Sequence, residues 1–259
     1  MTNIKKQQQF IPSKLDAINK HVGGYYRPSL SLLVAPPNDG KTTALCDEAM
    51  TSFKNGYNVI FITLEMTPEL IMEKMLANLS GIPMGDSMLK SINIRDQMNA
   101  QGIEGTLTIS NGGRGDIINF GDVPESEERL DIETIISRIE AHNSVKNFYG
   151  ATPDIIFIDG LNSLFPHNAL NIRQSAIKRN AAIVMSYQAS RNGLAANYSG
   201  NTLHDVADLI FTAKRSPKNV DSKVIYTYDH KILKNRFGPN GTEFETTFDF
   251  SLMRMNNNV

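Results

Sequence analysis

A doubly wound α/β fold, with a mainly parallel sheet and antiparallel strands added near the carboxyl end, is predicted by three observations. Residues 30–43 run from an apolar strand through a turn into a helix: Leu-Ser-Leu-Leu-Val-Ala-Pro-Pro-Asn-Asp-Gly-Lys-Thr-Thr. Short apolar runs then alternate with stretches whose apolar residues recur at helical spacing, the pattern of strands joined by crossover helices. Past residue 208 strand-like runs follow one another, the last two joined through Pro239, Asn240 and Gly241 as a hairpin.

Each element has its own local reason. Residues 30–35 are a continuous apolar strand, and Leu45, Ala49 and Phe53 repeat at helical spacing until Gly56 closes that helix. Residues 58–64 are the next strand. Thr67 is an N-cap with Pro68 at the first helical position, and the stripe Ile71, Met75 and Leu79 ends near Gly81 and Pro83. Residues 112–128 are loop-like, and Ile132, Ile135, Ile136 and Ile139 then mark one side of a helix. A buried strand at 154–159, a helical run at 169–179 and a strand at 181–187 follow, then strands at 208–214, 224–234 and 243–255. With no internal repeat or low-complexity linker, residues 1–10 are expected to form a polar arm and 11–259 one domain.

Composition excludes some classes. The 259 residues are 41% hydrophobic, enough for a well-filled core. No run approaches the ~18 apolar residues of a membrane span, and residues 1–9 lack the apolar segment of a signal peptide. No membrane partner is expected, and the single cysteine, Cys46, fits a reducing cytoplasm. The net charge of -1 hides a segregation. Acids dominate 116–140, whereas Arg173, Lys178, Arg179, Arg191, Lys214, Arg215, Lys218, Lys223, Lys231, Lys234 and Arg236 outnumber the acids of 170–236. Both a polyanion-binding face and ordinary solvated charge accord with that second stretch.

The turn Ala35, Pro36, Pro37, Asn38, Asp39, Gly40, Lys41, Thr42, Thr43 has the character of a phosphate-binding P-loop. Backbone N–H groups and the following helix terminus would surround the β- and γ-phosphates, with Lys41 as a point charge and the Thr42 hydroxyl on Mg²⁺. Ala35 stands where the pattern has its first Gly, and an ordinary strand-to-helix turn is the alternative. Glu65, Asp159 and Gln188 each end an apolar strand, and the carboxyl ends of strands are where open α/β sheets bind ligands. Glu65 is a candidate base for an attacking water, Asp159 a candidate acid for the Mg²⁺ shell, and Gln188 an amide able to report the γ-phosphate.

Together these segments resemble a known family. Gly23-Gly24 before the first strand, the P-loop, Phe61-Ile62-Thr63-Leu64-Glu65-Met66, Ile156-Phe157-Ile158-Asp159, Ser186-Tyr187-Gln188 and Lys234-Asn235-Arg236-Phe237-Gly238 resemble the RecA-like motor domain of DnaB-type replicative helicases, particularly those of T-even-type phages. The resemblance implies Lys41 and Thr42 as phosphate and Mg²⁺ residues, Glu65 as catalytic base, Asp159 as Walker-B acid and Gln188 as γ-phosphate sensor. It makes Lys234 and Arg236 a pair acting in trans on a neighbouring subunit's site. It further implies ATP and Mg²⁺, single-stranded DNA, a hexameric ring, a primase or helicase loader as partner, and the cytoplasm of a bacterial host if the chain is phage-encoded.

Against that resemblance two departures are expected: no segment here matches the family's amino-terminal domain, and the stretch between Asp159 and Gln188, which the resemblance implies would supply a loop lining the DNA channel, is short. Arg173, Lys178, Arg179 and Arg191 are the cations expected nearest a channel. Two other readings stand beside the helicase motor: a RecA- or KaiC-like ATPase that binds DNA or protein as a switch without unwinding, and a non-catalytic ring protein. Lys41, Glu65, Asp159 and Arg236 argue against the last, since a scaffold needs none of them.

Overall fold

The computed structural model describes residues 9–110, 117–119, 132–145, 152–160, 169–189, 202–220 and 223–257. The chain enters through a small antiparallel pair, β1 (Phe10–Ile11) and β2 (Tyr25–Tyr26), with α1 (Asp16–Val22) between them. In β3 (Ser29–Ala35) alternate side chains face opposite layers, Leu33 and Ala35 into one core and Leu30, Leu32 and Val34 into the other. Both faces are therefore covered, which is why the strand is a continuous apolar run.

The first core lies under α2 (Lys41–Lys54) and α3 (Pro68–Ser80), through Leu45, Ala49, Phe53, Ile71, Met75 and Leu79. Thr67 Oγ1 accepts from the N–H of Leu70 and Gly81 closes α3 in the left-handed conformation, both as anticipated. The second core lies under α5 (Ile132–Val145) and α6 (Ala169–Arg179).

Six strands run parallel in the order β9 (Leu209–Val220), β3, β8 (Ala182–Gln188), β7 (Ile155–Asp159), β4 (Asn58–Thr63) and β5 (Thr106–Ser110). Antiparallel strands extend the sheet at both ends. β6 (Ile117–Asn119) pairs with β5, while β10 (Lys223–Asn235), β11 (Glu243–Asp249) and β12 (Arg254–Asn257) continue from β9.

Several details depart from the sequence reading, the unread strand β5 among them. β6 lies inside the stretch expected to be loop, whose remaining residues fall outside the described ones. The final run is two strands, turning through 250–253 with Met253 at φ 53. Between α3 and β5 the chain adds α4 (Ile94–Ala100), which fully buries no residue and packs only the pair Ile94 and Met98 against the first core, too short a stripe to read.

Candidate functional site

The candidate P-loop joins β3 to α2. Asn38 at φ 63 and Gly40 at φ 76 turn the chain, and the helix starts at Lys41. No side chain caps the amino end of α2 and no acid sits in its first turn, so its leading N–H groups and positive dipole end are left to an anion. Lys41 is 9% exposed, with Nζ donating to Pro36 O at 3.0 Å. Burial lowers its pKa, opposed by the charges of Glu65, Asp159 and Asp39. Asp39 Oδ2 accepts from the N–H of Arg215 at 3.1 Å, bracing the loop against β9.

Asp159 ends β7 under the loop. Thr42 Oγ1 donates to Asp159 Oδ2 at 2.7 Å, and Ser186 Oγ donates to Oδ1 at 2.7 Å while accepting from the N–H of Gly160 at 2.9 Å. Burial raises the Asp159 pKa, and the bonds from Thr42 and Ser186 and the charge of Lys41 pull it back. A hydroxyl and a carboxylate this close form a hard oxygen set that fits Mg²⁺ shared with nucleotide phosphates. Ser186 was read only as part of a family motif. Its signal is a hydroxyl within the apolar run of β8, and its role depends on a partner 27 residues away.

Glu65 is exposed just beyond β4, held by a turn in which Thr63 Oγ1 bonds both the N–H and the carbonyl of Met66. Gly160, at φ 92, lies beneath it: a Cβ there would come within 2.6 Å of Glu65 Cγ. On the other side Gln188 registers with Ala35, and the N–H of Ala189 donates to Ala35 O at 3.0 Å. Lys41, Thr42, Asp159, Glu65 and Gln188 therefore gather at the carboxyl edge of the parallel strands.

Lys234 and Arg236 stand at the opposite edge. Leu209 registers with both Ser31 and Asn235, so the pair lies level with the start of β3, roughly 13 Å below the P-loop at about 3.3 Å per residue. Lys234 Nζ donates to the carbonyls of His204 and Asp205, at 2.7 and 3.0 Å, in α7 (Thr202–Val206). Burial and Arg236 lower the Lys234 pKa. Arg236 Nη2 donates to Asp205 O at 2.9 Å and Nη1 to Asp208 Oδ1 at 3.1 Å.

The expected DNA-contacting cations are differently engaged. The Arg179 side chain is 3% exposed and cross-links α5 and α6, donating to Glu140 at 2.9 Å and Glu133 at 2.6 Å. That contact, with help from Lys178 and Ser175, holds the Glu133 carboxyl down to about 2. Lys178 pairs with Glu133 at 2.8 Å, and Arg173 with Asp208. Lys178 and Arg179 end α6 just before β8 begins, away from the P-loop edge. The expectation for Arg179 is thus corrected: its guanidinium is consumed by carboxylates. Arg191 lies outside the described residues, as do 161–168 and 190–201.

The sequence profile of the family described as DnaB-like helicase C terminal domain matches residues 11–183. The DnaB-like replicative helicase of Enterobacteria phage T4 is 34% identical over 77 residues, 29% of this chain and 16% of that protein. A solved structure described as the ATPase domain of G40P superposes with a TM-score of 0.72 at 17% identity, covering 99% of this chain and 95% of that one. A DnaB-like replicative helicase solved in a study of its interactions with primase superposes with a TM-score of 0.70 at 15% identity, over 99% of this chain and 66% of that one. The fold is therefore that of these ATPase domains, and this chain spans only part of the longer relatives. The matched profile ends before Gln188, Lys234 and Arg236.

Proposed function

The chain belongs to the DnaB-like helicase C-terminal domain family, and from that premise we propose that it is the ATP-driven motor of a ring-forming replicative helicase that moves along single-stranded DNA. What carries the reading is the division of its candidate site residues. Lys41, Thr42, Asp159, Glu65 and Gln188 share one edge of the sheet, while Lys234 and Arg236 occupy the other, out of reach of the same chain's P-loop. A site completed by the next subunit in a hexameric ring uses both edges.

In this mechanism the amino end of α2 and Lys41 hold the phosphates of ATP. Thr42 and Asp159 would hold Mg²⁺, which when bound neutralises charge on the β- and γ-oxygens. Glu65 orients the attacking water and accepts its proton, and Gln188 contacts the γ-phosphate. Lys234 and Arg236 of one subunit stabilise the charge that develops in its neighbour's site, an arrangement that can supply about 10³–10⁵ in rate. A primase or helicase loader is the proposed protein partner, and a bacterial host cytoplasm the setting if the chain is phage-encoded.

One observation favours a second reading, a RecA- or KaiC-like switch ATPase without unwinding: Arg173, Lys178 and Arg179 are all tied to carboxylates. Light scattering after size exclusion, with and without ATP and a single-stranded oligonucleotide, followed by a strand-displacement assay, separates the two. Rings that displace a strand support the motor. Rings that hydrolyse ATP without displacement support the switch, and a chain that stays monomeric throughout overturns both.

A further inference from the structure

We infer that Asp208 is a positioning residue for the trans-acting pair, its buried carboxylate setting the orientation in which Arg236 enters a neighbouring subunit's site. This rests on the trans reading proposed above and adds a residue to it.

The Asp208 side chain is 4% exposed and is held to two elements at once. At the start of β3, its Oδ2 accepts from the N–H of Leu30 at 3.0 Å and its own N–H donates to Leu30 O at 2.8 Å. At the end of β10, its Oδ1 accepts from Arg236 Nη1 at 3.1 Å and its carbonyl accepts from the N–H of Arg236 at 2.9 Å. Arg173 supplies a second guanidinium to Oδ2. One cation neutralises one carboxylate; here two bind it, and Lys234 lies beside them on the carbonyls of α7. Counting Asp205, whose charge also acts on Lys234, three cations meet two carboxylates, an excess of positive charge that a purely structural ion pair does not need.

Exposure makes the same distinction. Among the ion-paired arginines described, Arg27 is 6%, Arg179 3% and Arg173 28% exposed, whereas paired lysines, with their flexible stems, are exposed regardless. Arg236 is anchored at its backbone N–H and at both η nitrogens, yet its side chain is 44% exposed. A guanidinium offers five N–H donors, and the bonds to Asp208 and Asp205 fix its plane while others remain for phosphate oxygens. Preorganisation of this kind is what a group arriving from a neighbour requires, because a displacement of about 1 Å can cost ~10²-fold in rate.

Mixed rings test the assignment. Asp208→Asn keeps an oxygen for the Leu30 N–H and removes the charge; rings made of it alone should lose about 10- to 100-fold in ATPase rate with ATP affinity unchanged. Mixed with Glu65→Gln subunits they should recover as far as Arg236→Ala subunits do in the same mixture, because some interfaces then join an intact Glu65 to an intact Asp208 and Arg236. Mixed with Arg236→Ala subunits they should recover nothing, both lesions lying on the donating side. If Arg236→Ala recovers with Glu65→Gln and Asp208→Asn does not, Asp208 serves its own subunit and the inference falls while the trans reading stands. Full activity of Asp208→Asn rings overturns it too. If Arg236→Ala fails to recover in rings shown to be mixed, the trans reading fails and Asp208 goes with it. Should Asp208→Asn not fold, Asp208→Glu, which keeps the charge but shifts it, carries the same pairings.

Discussion

A single hydroxyl decides which way Asp159 faces. Ser186 Oγ bonds one carboxylate oxygen and Gly160 N–H together, leaving the other oxygen to Thr42. Ser186→Ala should leave the fold intact and weaken Mg²⁺-dependent ATP binding or turnover by about 10- to 100-fold, the usual effect of losing an outer partner of a metal ligand; titrating Mg²⁺ against ATPase rate measures it. Lys41→Ala should abolish hydrolysis and weaken ATP binding, whereas Glu65→Gln should bind ATP with Mg²⁺ and lose most turnover. Unchanged turnover in the first, or lost nucleotide binding by a folded protein in the second, would sink those roles. The meeting of Lys41, Thr42 and Asp159 at one edge of the sheet was legible because each sits in a short continuous pattern. Ser186 and Asp208 act through residues 27 and 28 positions away, and only the register of the strands brings those partners together.

Within the elements, His230 ties β10 to both its neighbours. Its Nδ1 faces Thr212 O at 2.9 Å, an oxygen that can only accept, so Nδ1 carries the proton and Nε2 accepts from Thr246 Oγ1 at 2.8 Å. Burial pushes its pKa down to about 4. The unfolded chain therefore binds a proton before the folded one does. The stability held above about pH 6.5 is lost as pH falls toward 4, in total about 3 kcal/mol. Denaturant unfolding at pH 7 and 4.5 should show His230→Gln less sensitive to that change than the natural chain. Arg179→Ala, by stranding Glu133 and Glu140 between α5 and α6, should cost about 2 kcal/mol of stability, below the fully buried range because both acids are partly solvated; thermal unfolding checks it. Helices with a buried stripe were legible from the sequence, α3 with both its caps. α4 and β5 were not, the first offering the core only the pair Ile94 and Met98 and the second being short and carrying two threonines.

At the scale of the whole molecule, the fold class and the antiparallel extension were legible because the alternation of strand and helix, and its end, are written along the chain. Which cations are free to meet a nucleic acid was not, since sequence proximity of cations says nothing about the carboxylates that meet them. With those cations engaged, single-stranded DNA should bind through few phosphate contacts, and affinity should fall shallowly with salt, at a log–log slope of about -0.7 per contact. Arg191→Ala should weaken binding and DNA stimulation of the ATPase, while Lys178→Ala should change neither; fluorescence anisotropy across a salt series measures both. The separation of the P-loop and Arg236 along β3 has a kinetic consequence. On the trans reading proposed above, a folded strand does not shorten, so a solitary chain would not lend its own guanidinium to its own nucleotide, and turnover is expected to be a property of encounters. On dilution the observed rate should fall faster than the first power of protein concentration and become first order once every chain has a neighbour on each side.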